Sequence, residues 1–231
     1  MNHTFPSLSS PGEADVLFLD LDGTLTDPSE GITKAVMYSL EFFGIHEDDP
    51  QKLYPFIGPP LYDSFMQHYG FDLPTARKAV EHFQEYYSRQ GMYENVPYPG
   101  IRELLYAWQR DGRKLVLATS KPEEFAVRIL ERFGMAGAFT LMAGGDAAEA
   151  RVEKKMVIDY AMKKLGMKDS RGCLMIGDRK FDVLGAAAHG FPTLGVLYGF
   201  GTKEELLQAG ASWLAGSVEE LGTLLSSDSR K

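Results

Sequence analysis

"VLFLDLDGTLTDP", Val16 to Pro28, is the stretch on which the fold turns. It begins as an apolar, strand-like run and ends in two carboxylates, Asp20 and Asp22. Successive strand residues point to opposite faces, so acids two positions apart share one side if the strand continues that far. Like charges that close are unfavourable unless something cationic lies between them. The stretch therefore reads as a buried strand that ends at a site needing positive charge.

Similar apolar runs closed by Gly, Asp, Ser or Thr recur at 114–120 ("KLVLATS"), 139–146 ("FTLMAGGD"), 173–178 ("CLMIGD") and 192–199 ("PTLGVLYG"). Between most of them lie segments of helical period, such as Ile101 to Arg110, Glu123 to Phe133 and Glu153 to Leu165. Apolar runs alternating with amphipathic helices indicate βαβ units. The expected fold class is α/β, a doubly wound, Rossmann-like parallel sheet.

One interval breaks the rhythm. From about Ile32 to Tyr93 there is helical patterning without a strand run. "ITKAVMYSLEFFG" ends at Gly44, a helix-terminating residue, and "PTARKAVEHFQEYYSRQG" runs from Pro74 to Gly91. An all-helical unit inserted after the first strand is expected over 29–96. The core would be 14–28 and 97–225, with hinges at the turn-rich segments 25–31 and 94–100. The ends, 1–13 and 226–231, are expected to fray.

The chain has 231 residues, 44% of them hydrophobic and 24% charged, ordinary values for a soluble protein with a substantial core. Its formal charge is -8 and it has no basic block, which argues against nucleic acid as a partner. No secretion signal and no apolar run long enough to span a membrane are visible. The single cysteine, Cys173, excludes an internal disulfide and reads as a small buried hydrophobe. A cytoplasmic protein, monomeric or homodimeric, is expected.

In an open α/β sheet, ligands bind beyond the carboxyl ends of the strands. Three runs end there in polar groups: Asp20 with Asp22, Thr119 with Ser120, and Asp178 followed by Asp182. Carboxylates converging on one crevice need a hard cation, and an all-oxygen ligand set favours Mg²⁺, which pairs naturally with phosphate.

"DLDGTLTD", "ATSK", a downstream Lys and "GDRKFD", in that order and spanning almost the whole chain, resemble the four motifs of the haloacid dehalogenase superfamily. The helical insertion after the first motif is similar to that superfamily's C1-type cap. The resemblance, closest to the phosphoglycolate phosphatase branch, implies an Mg²⁺-dependent phosphomonoesterase. Asp20 would be the nucleophile that forms an aspartyl-phosphate. Asp22 would be general acid and then base. An acid at Asp22 favours phosphoryl transfer over dehalogenation, since a departing halide needs no proton.

The resemblance also makes Thr119 a hydrogen-bond donor to the phosphoryl group and places Gly23, Thr24 and Ser120 around the substrate. Gly23 would let backbone approach the phosphate closely. Ser120 with Glu123 has the spacing of a capping box, which would aim helix N–H groups at an anion. For metal ligands it implies Asp20, Asp22 through its backbone carbonyl, Asp178, and Asp182, which lies one helical turn after Asp178 and faces the same site as an outer or water-mediated ligand. The third motif departs from the phosphoglycolate phosphatase pattern, because "GGDAAEARVEKKMVIDYAMKKLG" lacks the Lys-Pro pair. A similar segment occurs in 5′-nucleotidase-like relatives and points to Lys154, with Lys155 as the alternative, as the residue neutralising charge beside the phosphate.

The cap is expected to select the substrate, a small phosphate ester. "FIGPPLYDSF" at 56–65 would present backbone near the crevice, whereas Phe83, Tyr86 and Tyr87 read as bundle core. Arg179 and Lys180 read as surface charges. His68 and His82 lack metal-ligand spacing, and His189 reads as a helix-end packing residue. The alternatives are a nucleoside 5′-monophosphatase, a sugar phosphomutase and a non-catalytic phosphate-binding protein.

Overall fold

A computed structural model describes residues 8–146 and 151–226. The strands in chain order are β1 (Val16–Leu19), β2 (Thr26–Asp27), β3 (Val96–Pro97), β4 (Lys114–Pro122), β5 (Leu141–Gly145), β6 (Cys173–Gly177), β7 (Thr193–Val196) and β8 (Trp213–Ala215). The helices are α1 (Ser29–Glu41), α2 (Leu61–Tyr69), α3 (Leu73–Arg89), α4 (Ile101–Arg110), α5 (Glu123–Arg132), α6 (Lys154–Lys164), α7 (Lys180–Ala187), α8 (Lys203–Ala209) and α9 (Val218–Leu224).

Six strands form one parallel sheet in the order β5-β4-β1-β6-β7-β8. The fold class is the expected α/β, Rossmann-like core. Alternation along the strands sorts the apolar residues onto two faces. Leu17, Leu19, Leu117 and Ile176 pack with α4, α5 and α9 on one side. Phe18, Val116, Ala118 and Met175 pack with α6 and α7 on the other. Both faces are covered, which explains why these strands read as continuous apolar runs.

The topology places the site. β1 is central, the chain first builds β4 and β5 on one side, then crosses back to β6 on the other. Leu19 pairs in register with Leu117 and with Ile176, so Asp20, one residue on, and Thr119 and Asp178, two residues on, emerge together at the carboxyl edge. This is the switch-point crevice where such sheets bind ligands.

Helices α1, α2 and α3 share a separate apolar cluster that includes Val36, Leu40, Phe65 and Val80. The Asp72 side chain accepts from the Thr75 N–H at 2.9 Å and starts α3, with Pro in the first turn. The two connections to the sheet are not simple loops. They pair with one another as an antiparallel ladder, Thr26 opposite Pro97 and Asp27 opposite Val96.

Three features differ from expectation. The N-terminal segment is anchored from Leu8 onward, because Pro11–Glu13 form a 3-10 turn with Pro11 and Gly12 buried. In addition, the Arg113 guanidinium donates to the Gly12 carbonyl at 2.9 Å. The remaining expected tail residues, 1–7 and 227–231, lie outside the described residues, while Ser226 N–H donates to the Thr223 carbonyl at 3.1 Å. Finally, β8, α8 and α9 complete the sheet where no elements were expected. Their signals were the helix caps Thr202 and Ser217, whose hydroxyls accept from Glu205 N–H and Glu220 N–H. No helix among the described residues is long and apolar enough to cross a membrane.

Candidate active site

A cavity of about 120 Å³ lies between the carboxyl edge of the sheet and the three-helix unit. Asp20, Asp22, Thr119, Ser120, Lys154 and Asp182 line it from the sheet side. Phe56, Gly58, Pro59, Pro60, Phe83 and Tyr87 line it from the helical side. The sequence therefore brings most of its expected site residues to one place, and "FIGPP" does present backbone there. Phe83 and Tyr87 are bundle core, as expected, yet they also form part of the cavity roof.

Asp20 follows β1 directly, its N–H donating to the Ile176 carbonyl at 3.0 Å. Asp178 follows β6, is wholly buried, and accepts from the Phe200 N–H through Oδ2 at 2.7 Å. Its Oδ1 has no hydrogen-bond partner among the described residues. Asp182 sits in the first turn of α7 and accepts from the Arg179 N–H through Oδ2 at 3.0 Å. Asp20, Asp178 and Asp182 each offer an oxygen within 4.8 Å of the others.

Lys154 enters this cluster from the start of α6. Its ammonium is 2.8 Å from Asp20 Oδ1 and 2.8 Å from Asp182 Oδ1. It also donates to the Ala118 carbonyl at 2.8 Å. Lys155, by contrast, points outward and pairs with Glu153 at 2.9 Å. Gly185 on α7 makes the passage of Lys154 possible, since a Cβ there would stand 2.7 Å from Lys154 Cγ.

These charges do not balance. Three clustered carboxylates share one ammonium, which contacts Asp20 and Asp182, so that full ionisation would leave a net charge of about -2 in a buried place. Burial, aided by the Asp182 and Asp20 charges, holds the Asp178 carboxyl well above the usual range. Burial pushes Asp182 up to about 6 against the opposing pull of Lys154. Burial alone would lower the Lys154 ammonium, but the Asp182 and Asp20 carboxylates hold it above its ordinary value. An oxygen-only cluster that carries two surplus negative charges when fully ionised, with a free buried oxygen on Asp178, fits a hard divalent cation.

Asp22 stands apart from that cluster. Its Oδ2 receives the Lys121 ammonium at 2.6 Å, while its carboxyl is raised by burial, with Lys121 opposing. Lys121 also lies over the Tyr87 ring, 4.8 Å from its centroid. The Asp22 side chain is thus engaged through Oδ2 with a cation of the protein rather than with the carboxylate cluster.

Thr119 is buried and its hydroxyl accepts from the Lys121 N–H at 3.3 Å. Ser120 lines the cavity without the expected capping role. β4 runs on to Pro122, which becomes the residue preceding α5. The Glu123 carboxylate turns instead to the Gly144 N–H at 3.2 Å and to Arg151 at 3.3 Å. Gly23 and Thr24 lie beside the cavity rather than on its lining. At φ +81°, Gly23 adopts a conformation that favours glycine, and an added Cβ would collide with the Asp178 carboxylate. Its nearest demand is therefore from the acid rather than from a phosphate.

Three residues take roles here that the sequence does not announce. Lys121 was visible in "ATSK", but nothing in its spacing announced Asp22 as its partner. Arg179, read as a surface charge, has a side chain only 14% exposed. Phe200 carried no local signal. His189 packs at the end of α7, its Nδ1 2.9 Å from the Gly185 carbonyl oxygen, as expected.

Residues 16–196 match the family described as haloacid dehalogenase-like hydrolase. A 5′-nucleotidase of Pseudomonas aeruginosa is 45% identical over 83% of this chain and 86% of its own. The tyrosine-protein kinase PtkA of Mycobacterium tuberculosis is 34% identical over 92% of this chain and 73% of its own. A phosphoglycolate phosphatase of Colwellia psychrerythraea is 30% identical over 90% of this chain and 96% of its own. Among solved structures, that of a predicted phosphatase from Clostridium acetobutylicum superposes with a TM-score of 0.88 at 45% identity, covering 91% of this chain and 97% of that one.

Proposed function

The chain belongs to the haloacid dehalogenase-like hydrolase family and is a phosphoric monoester hydrolase of its phosphoglycolate phosphatase-like branch; from that premise we propose an Mg²⁺-dependent enzyme that works through an aspartyl-phosphate. The observation that carries the reading is the separation of the two acids of the opening stretch. Asp20 lies in the carboxylate cluster beside Lys154, whereas Asp22 faces the same cavity outside the cluster, with its carboxyl raised by burial. This separation supports giving Asp20 the attack on phosphorus and Asp22 the delivery of a proton.

Asp20, Asp178 and Asp182, with the Asp22 carbonyl, would hold Mg²⁺, which when bound supplies positive charge to the phosphoryl oxygens. Asp20 attacks in line while Asp22 donates its proton to the leaving oxygen. Asp22, now a carboxylate, then takes a proton from the water that hydrolyses the acyl phosphate. Lys154 neutralises charge between nucleophile and phosphoryl group, and the Thr119 hydroxyl donates to a phosphoryl oxygen. Ser120 completes the cavity lining on this side, with Gly23 and Thr24 beside the cavity.

Residues 29–96 form the cap that closes over this chemistry and excludes water, with 14–28 and 97–225 as the catalytic core. The cavity of about 120 Å³ is below the roughly 300–1,000 Å³ of common ligand pockets, which favours a small ester over a large one in the closed form. A second reading, a nucleoside 5′-monophosphatase, is favoured by the 45% identity to a 5′-nucleotidase and requires the cap to stand further open during binding. In either case we place the enzyme in the cytoplasm with a soluble phosphate ester as its partner.

The test is a hydrolysis panel with Mg²⁺: 2-phosphoglycolate, nucleoside 5′-monophosphates, sugar phosphates and pyrophosphate, with Asp20→Asn as control. Phosphate release that Asp20→Asn abolishes supports the reading, and the preferred ester identifies the branch. An isomerised sugar phosphate would indicate a mutase, and transfer from ATP to a tyrosine peptide would indicate a kinase. Zero turnover across the panel would leave a phosphate-binding protein.

A further inference from the structure

Two contacts join the roof of the cavity to its floor, and the chemistry above uses neither. Arg179, next to Asp178, donates its backbone N–H to Asp182 Oδ2 at 3.0 Å. Its side chain crosses to the cap, where Nη1 donates to the Ile57 carbonyl at 2.5 Å. Nε donates to Glu205 Oε1 at 2.9 Å, and the same oxygen accepts from the Lys180 N–H at 2.9 Å, so the guanidinium is braced from the core side.

Phe200 repeats the arrangement. Its backbone N–H donates to Asp178 Oδ2 at 2.7 Å, and its ring meets Tyr54 of the cap edge-on, with centroids 5.6 Å apart at 79°. Tyr54 and Ile57 belong to one short segment, a 3-10 turn (Pro50–Phe56) and the residue after it. That segment leads directly into Gly58, Pro59 and Pro60 on the cavity wall. Each residue thus holds a carboxylate of the cluster with its backbone and the cap with its side chain.

We infer that Arg179 and Phe200 are positioning residues that couple cap closure to the carboxylates of Asp178 and Asp182, so that a bound divalent cation and the closed cap stabilise one another. The inference rests on reading those carboxylates as a cation site. The coupling is reciprocal by linkage: whatever the cation does for closure, closure does for cation affinity. Two interdomain contacts present only for packing would hold the cap equally with and without the cation.

The test needs no substrate. Amide hydrogen exchange over 54–61 is followed with and without Mg²⁺, with 101–110 as an internal control, and Mg²⁺ binding is measured by calorimetry. In the unaltered protein Mg²⁺ slows exchange over 54–61 and leaves 101–110 unchanged. Arg179→Ala and Phe200→Ala each remove that response and weaken Mg²⁺ binding by about fivefold or more, although both keep their backbone N–H groups. Arg179→Lys, which keeps the charge but replaces by one nitrogen the rigid fork that reaches Glu205 through Nε and Ile57 through Nη1, gives the same loss, as does Phe200→Leu. These two serve where an alanine variant fails to fold. Mg²⁺ binding without any effect on 54–61, or an effect that survives in all variants, overturns the coupling alone. Failure of Mg²⁺ to bind the unaltered protein overturns the coupling together with the cation-site reading.

Discussion

The Lys121 ammonium lies 2.6 Å from Asp22 Oδ2, with the two side chains only 6% and 12% exposed. A buried ion pair that loses one partner leaves an uncompensated charge, at a cost of about 3–5 kcal/mol. Lys121→Met should therefore lower the thermal unfolding midpoint by several degrees. Lys155→Met, which removes an exposed pair with Glu153, should change it little, because such pairs contribute roughly 0–1 kcal/mol. Equal midpoints for the two variants in differential scanning calorimetry would contradict the burial argument.

Lys154 and Lys155 are adjacent but face different surroundings. Lys154→Met should reduce kcat/KM for p-nitrophenyl phosphate by about 10²–10³, the range for losing a preorganised electrostatic group. Lys155→Met should leave it within about twofold. Steady-state kinetics of the pair decide the matter, and a larger loss at Lys155 would move the catalytic role there.

Asp178 contributes the unpartnered oxygen of the carboxylate cluster. A chelator should abolish phosphatase activity and added Mg²⁺ should restore it. Asp178→Asn should raise the Mg²⁺ concentration for half-maximal rate beyond the roughly 10–100-fold expected for losing an outer partner of a metal ligand. An unchanged Mg²⁺ dependence would remove Asp178 from the ligand set.

Glu94, in the second connection between cap and core, accepts from Lys34 at 2.8 Å, Tyr86 at 3.1 Å and Gln90 at 3.2 Å. Burial alone would raise its carboxyl, but these donors hold it below its ordinary value. A carboxyl lower in the folded than in the unfolded chain stabilises the fold above the unfolded pKa of roughly 4.3 and loses that contribution as pH falls through the folded value. Glu94→Gln should thus lower the unfolding midpoint at pH 7 and differ less from the unaltered protein near roughly pH 3. A difference that grows on acidification would reverse the assigned sign.

The legible part of the site consists of residues at strand ends. Asp20, Thr119 and Asp178 were found because an apolar run of strand length ends at each of them, and the parallel sheet brings those ends together. Lys121, Arg179 and Phe200 were assigned no role because their partners are remote in sequence: Asp22 is 99 residues from Lys121, Ile57 is 122 from Arg179, and Asp178 is 22 from Phe200. The Ser120 capping expectation fails for a local reason, since β4 extends two residues beyond the run at 114–120 and the helix begins after Pro122.

By itself the sequence determined the alternation of strands and helices, the helical insertion and the acids at the carboxyl edge, because periodicity and turn chemistry are short-range properties of the chain. Tertiary structure decided between Lys154 and Lys155 as the lysine that reaches Asp20, and it alone paired Asp22 with Lys121. The physical reason is directional. Neighbouring helix residues point about 100° apart, and only burial of α6 against the sheet fixes which of the two lysines faces inward.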